Sequence, residues 1–177
     1  MQLTARHNFS RRPPRGFTFA ELVIVVLIIG LVALLVIPAT SSSMSASRLS
    51  TSANVLAADI EFCLSECIAR PNDPRVVYFD VTNNKYSMVA LNASTVIAHP
   101  MDQQPYTNDF TTGRNANFVG VVMTSAACGN TNLTVLTFDP YGKPLLTNDL
   151  IVALTYQGQQ MNVKVNATTG EVSIYTP

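Results

Sequence analysis

Side chains able to do chemistry are sparse in this 177-residue sequence. There are two histidines, His7 and His99, and three cysteines, Cys63, Cys67 and Cys128. A histidine-based active site has almost nothing to build from, since His7 lies among arginines and His99 precedes a proline. No nucleophile elbow, phosphate-cradling glycine loop or metal-ligand cluster occurs. Asp102 and Asp109 share a polar stretch that calcium could use, but their spacing fits no EF-hand loop. Solvated surface acids are the commoner state. The expectation is a protein without catalysis, cofactor or metal. One acid is out of place. Glu21 sits at the mouth of sixteen residues, Leu22 to Ile37, that contain no polar side chain. A charge embedded in a bilayer costs about 2.5–3.5 kcal/mol even on lenient insertion scales, so an acid there needs a partner or a route to water.

The elements that position Glu21 follow from the run around it. Phe17 to Ala39 contains only Thr18 and Glu21 as polar residues. As a helix this segment is roughly 34 Å long, enough for a hydrocarbon core of about 30 Å. Residues 1–16 carry Arg6, Arg11, Arg12 and Arg15 and no acid, whereas only Arg48 lies within twenty residues after Ile37. The positive-inside bias then leaves the N-terminus cytoplasmic and the C-terminal body across the membrane. A secretory signal peptide is the plain alternative, but its apolar region is about 7–15 residues, shorter than this one and without an acid. Ser10-Arg11-Arg12 hints at a twin-arginine signal, against which Pro13 and Pro14 stand.

A basic leader ending in Gly16, then Phe17-Thr18-Phe19-Ala20-Glu21-Leu22, then an apolar run closing at Pro38, resembles the class III signal of type IV pilins and pseudopilins. The resemblance implies that a membrane-embedded prepilin peptidase cuts between Gly16 and Phe17 and methylates the new N-terminal Phe17. It implies that Glu21 neutralises the N-terminal amine of a neighbouring subunit during assembly. It also implies that a helix kink at Pro38 lets subunits pack into a filament. Phe19 departs from the family's usual leucine. Physics agrees with the role given to Glu21, because a buried charge is tolerable when paired. The competing reading is that Glu21 snorkels to the interface from its place near one end of the span.

After the run, residues 40–52 include nine Ser or Thr, yet Leu49, Ala53, Leu56, Ile60, Cys63 and Cys67 recur at spacings of three and four. That predicts an amphipathic helix lasting until Pro71. Beyond Pro74 the pattern changes to short strands: Val76–Val81, Tyr86–Leu91, Thr95–Ala98, Phe118–Thr124, Leu133–Phe138, Ile151–Tyr156, Met161–Val165 and Val172–Tyr175. Asn83-Asn84 suits a hairpin and Asp139-Pro140-Tyr141-Gly142 a type I turn. Gly158 and Gly170 suit positive φ. Residues 99–117 read as a long polar loop. The expected organisation is a cleaved leader (1–16), a transmembrane helix (17–39), its amphipathic continuation (40–71) and a periplasmic β-rich domain (72–177). The fold class is α+β, a long N-terminal helix packed on an antiparallel sheet. Ala53–Arg70 leading into Val76–Phe79, the Thr137–Gly142 turn and a closing hairpin at Thr169-Gly170 resemble the GspH/FimT group of minor pseudopilins.

The three cysteines read first as small buried hydrophobes. An oxidising periplasm also permits one disulfide between Cys128 and either Cys67 or Cys63. The resemblance implies a structural subunit of a type II secretion pseudopilus or a type IV pilus, partnered by prepilin peptidase, other pilin-like subunits and the inner membrane. DNA binding in uptake is a rival, since some relatives do it. The body after residue 16 holds seven basic residues against eleven acids, a net of −4, which disfavours nucleic acid. An exported periplasmic protein with a conventional signal peptide is the other rival.

Overall fold

The structure, a computed structural model, describes residues 16–112 and 118–177. The side chains of residues 34–43 also lie outside this description, as do the leader arginines and His7. The chain divides into two compact units, Met1–Ser41 and Ser42–Pro177.

One helix, α1, is assigned from Phe19 to Ala69 and passes through Pro38 without interruption. In the first unit its apolar side chains from Leu22 to Val32 are all substantially exposed. Among the described residues no helix is long and apolar enough to cross a membrane; the rest of the apolar run, from residue 34, lies outside the described side chains. The helix ends where expected. Arg70 still donates its amide to Glu66, Pro71 follows with no amide to give, and Asp73 closes a turn onto the Arg70 carbonyl.

The second unit is built around the second half of α1. Leu49, Ala53, Leu56, Ile60, Cys63 and Cys67 are all buried, as their spacing demanded. They pack in one core with the inward residues of two antiparallel sheets. The first sheet contains β1 (Arg75–Asp80), β2 (Lys85–Ala90), β3 (Thr95–Val96), β4 (Thr107–Asp109) and β7 (Val135–Thr137). Its order is β3-β2-β1-β7, with β4 also on β2. The second has the order β10-β9-β8-β5-β6, made of β5 (Val122–Cys128), β6 (Thr131–Asn132), β8 (Leu150–Tyr156), β9 (Gln159–Val165) and β10 (Val172–Tyr175).

Several expected turns are present. Asn84 takes φ 54° in the β1–β2 hairpin, and Gly142 donates to the Asp139 carbonyl with φ 86°. Gly170 has φ 76°, and a Cβ there would stand 2.7 Å from the Gly142 carbonyl oxygen, so two turns touch at a point that only glycine fits.

Two expectations need correction. The fifth strand is Val122–Cys128 rather than Phe118–Thr124. Phe118 and Val121 are buried but belong to a turn before the strand, which is why their apolar character misled. The pairing of β5 with β8 shifts between Met123 and Ser125, a bulge at Thr124. An extra residue reverses the in–out alternation, so Met123 and then Ala126 and Cys128 all face inward. The supposed loop after His99 is partly ordered pairing: Ala98 bridges Pro105, and β4 pairs with β2. Tyr106, Asn108 and Phe110 are buried there.

Candidate processing and assembly site

The start of α1 is fixed by a reciprocal cap. The Thr18 amide donates to Glu21 Oε2 at 2.9 Å, and the Thr18 hydroxyl donates to the same oxygen at 3.0 Å. In return the Glu21 amide donates to Thr18 Oγ1 at 3.2 Å. This is a capping box, with Thr18 as N-cap and Glu21 at the third helical position, each satisfying an amide the helix would otherwise leave open. Sequence reasoning placed Glu21 but overlooked this function. The Thr-x-x-Glu signature before an apolar run was there to be read.

Around the cap, nothing in the fold asks for the residues that the processing motif needs. A Cβ added at Gly16 meets nothing within 4 Å. Phe17 and Phe19 are 86% and 83% exposed. Gly16, Phe17 and Glu21 are therefore all exposed at the start of α1. Pro38 lies in the continuous helix, with its side chain outside the described residues.

In the second unit, the three cysteines are free and buried. No bridge joins Cys128 to Cys67 or to Cys63. Cys67 donates to the Arg75 carbonyl at 3.0 Å, while Cys128 donates to the Asn148 carbonyl at 3.1 Å. Cys63 donates its S–H to Cys67, which pushes the Cys63 thiol up and makes Cys67 the easier of the two to ionise. Among the described residues no group of three or more metal-ligating side chains occurs. Asp102 stands 3.4 Å from His99, and Asp109 accepts from the amides and hydroxyls of Thr111 and Thr112.

Two polar ties that sequence reasoning missed hold the body together. The half-buried carboxylate of Asp59, on α1, accepts from the Tyr86 hydroxyl at 2.7 Å, the Tyr106 hydroxyl at 2.9 Å and the Asn108 amide. Burial first, and then the adjacent Asp59 charge, hold the Tyr86 phenol well above its ordinary range. The alternation of Tyr106, Asn108 and Phe110 was the available signal for this strand. The second tie is Asn84, whose Oδ1 accepts from the Met123 amide while its Nδ2 donates to the Val121 carbonyl. One side chain from the turn between β1 and β2 thus copies a strand's hydrogen bonds on the second sheet.

Lys164, the cation nearest the closing hairpin, is engaged by Asp149 at 2.7 Å. That leaves little there to attract phosphate.

Comparison with known proteins agrees with this geometry. Residues 11–37 match the family described as the prokaryotic N-terminal methylation motif. No curated protein matches the chain. Among solved structures, the type IV minor pilin FimU of Pseudomonas aeruginosa is similar, with a TM-score of 0.52 at 16% identity, covering 73% of this chain and 89% of that one. The minor pseudopilin EpsH of the type 2 secretion system of Vibrio cholerae is similar at a TM-score of 0.52 and 13% identity, covering 73% of this chain and 98% of that one. The chain carries the prokaryotic N-terminal methylation motif on a pilin-like α+β fold.

Proposed function

We propose that the chain is a minor pilin or pseudopilin, a structural subunit that works by assembly. It is made as a precursor, cut by prepilin peptidase between Gly16 and Phe17, and methylated at Phe17. Residues 17–39 anchor it in the inner membrane with the body on the periplasmic side, and α1 then carries it into a filament. Pro38 serves as the bend that filament packing requires. Glu21 pairs with the amine of a neighbouring subunit. The observation that carries this reading is the methylation motif leading directly into a capped helix with outward-facing apolar side chains. Apolar surface left open on that scale calls for lipid or other subunits to cover it.

The test is intact-mass and N-terminal analysis of protein extracted from membranes. A chain beginning at methylated Phe17 is expected. A chain beginning at Ser47, after Met44-Ser45-Ala46, would instead assign a conventional secretory signal.

A further inference from the structure

Two strand edges in the second unit are left open over one cavity. The β7 side of β1 is paired as far as Phe79, whose amide donates to the Thr134 carbonyl at 2.8 Å. The outer side of β5 is held at two places. Asn84 occupies the Val121 carbonyl and the Met123 amide, and the Leu133 amide reaches the Ala126 carbonyl at 2.8 Å. Residues 132–134 therefore cross from the edge of β5 to the edge of β1. Between these ties lies a cavity of about 270 Å³, lined by residues 78–82, 124–126 and 132–134.

In an antiparallel ladder a residue turns its amide and its carbonyl to the same neighbour. The Phe79 carbonyl and the Ala126 amide thus face the same side as their bonded halves, and Val81 is the next residue after Phe79 to face that way. Among the described residues, the Phe79 carbonyl, the Val81 amide and the Ala126 amide have no hydrogen-bond partner there. The peptide joining Leu133 to Thr134 has none either. Backbone groups in a fold are nearly always paired. Open donors and acceptors gathered around one cavity match the backbone of an extended polypeptide.

The walls set the length and the side chains of that segment. From Tyr78 to Thr82 the chain passes the cavity in four steps, about 13 Å, which suits roughly three or four extended residues. Phe79 and Ala126 are buried toward the core, whereas Tyr78, Thr124 and Thr134 are exposed. A strand laid between them alternates its side chains between those two faces. Small apolar residues suit the inner face, and hydroxyl-bearing residues the outer one.

We infer that this cleft binds an extended segment of a partner polypeptide, alternating small apolar and hydroxyl side chains, as a short strand added to β1. Phe79 and Val81 hold its backbone on one side and Ala126 on the other. The inference stands on the second unit alone, and it needs neither processing nor anchoring.

The experiment uses the full chain in detergent micelles and an acetylated, amidated pentapeptide of alternating threonine and valine. The same peptide with every amide N-methylated keeps the side chains and loses the donors. Binding is titrated, and exchange of individual body amides is followed by NMR. The Val81 and Ala126 amides are expected to exchange about tenfold more slowly with the peptide bound. The N-methylated peptide should bind at least about tenfold more weakly. Thr82→Trp on the exposed rim, and Ser125→Phe from the opposite wall, should block binding. Melting of each variant is compared with wild type, and if Ser125→Phe unfolds early, Thr82→Trp alone decides. Unchanged exchange at both amides in millimolar peptide overturns the inference. Equal affinity for the N-methylated peptide overturns it too, since the backbone is then not what is read. Undiminished binding by Thr82→Trp that melts as wild type places the peptide elsewhere and overturns the cleft.

Discussion

Glu21 does two things that a single substitution can separate. Its carboxylate closes the capping box with Thr18, and its charge is the feature proposed to meet a neighbour's amine. Glutamine also serves at the third position of a capping box, so Glu21→Gln keeps the cap while removing the charge. Membrane insertion should persist, since an uncharged side chain is easier to embed. Incorporation should fall, because a neighbour's amine would lose its counter-charge in low dielectric. Crosslinking to other filament subunits, in samples checked for processing, reads the outcome; wild-type yield would refute the pairing. Asp59 supports a different residue-scale expectation. Tyr86 is held protonated in the fold by burial, with its hydroxyl on Asp59. Its folded pKa lies above the unfolded value of about 10, so the stabilisation is complete below that value and is lost as pH rises through the folded pKa. Tyr86→Phe should cost about 1–3 kcal/mol at neutral pH by leaving Asp59 one donor short. It should also flatten the alkaline loss of stability. Denaturant titrations of both proteins, at neutral pH and above pH 10, check this; parallel curves would mean that another group governs alkaline unfolding.

At the scale of elements, legibility tracked periodicity. The α1 stripe from Leu49 to Cys67 was readable because six apolar positions repeat at three and four, and all six are buried. The final strand, Val172–Tyr175, matches its expectation to the residue. β5 was misplaced because Ser125-Ala126-Ala127-Cys128 has weak strand propensity, while Phe118 and Val121 imitate a strand from within a turn. Small residues suit β5 because it lies between β8 and β6 in the sheet, a tertiary fact that overrides local preference. β4 was hidden by its polar composition, since two of its three residues, Asn108 and Asp109, are ordinary loop residues. The cap at Thr18 was legible and missed; the Asn84 tie was not legible, since its partners lie 37 and 39 residues away. The meeting of turns at Gly170 yields a quantitative test. Gly170→Ala must hold alanine at φ 76° with its Cβ 2.7 Å from a backbone oxygen. The strained conformation alone costs roughly 1–3 kcal/mol. A depressed midpoint in thermal unfolding is expected; an unchanged midpoint would mean that neither the positive φ nor the contact between the turns holds in solution.

For the whole molecule, the distribution of charge matters more than its sum. The formal charge is zero over all 177 residues, but the arginines of the leader provide the balance. Cleavage at Gly16 would leave a chain of net −4, in which Lys164 beside the closing hairpin is neutralised by Asp149. The processed protein should therefore give no retarded band with duplex DNA, even at low salt where attraction to phosphate is strongest. A salt-sensitive shift would promote the DNA-uptake role.

The empty space around Gly16 has a genetic consequence. Because a Cβ there touches nothing within 4 Å, substitutions should leave the melting behaviour of the body untouched while blocking the proposed cleavage. Gly16 is then a separation-of-function position. An uncut, fully folded precursor could be accumulated in the cell, and the stage at which assembly stops without processing could be observed apart from any defect in folding.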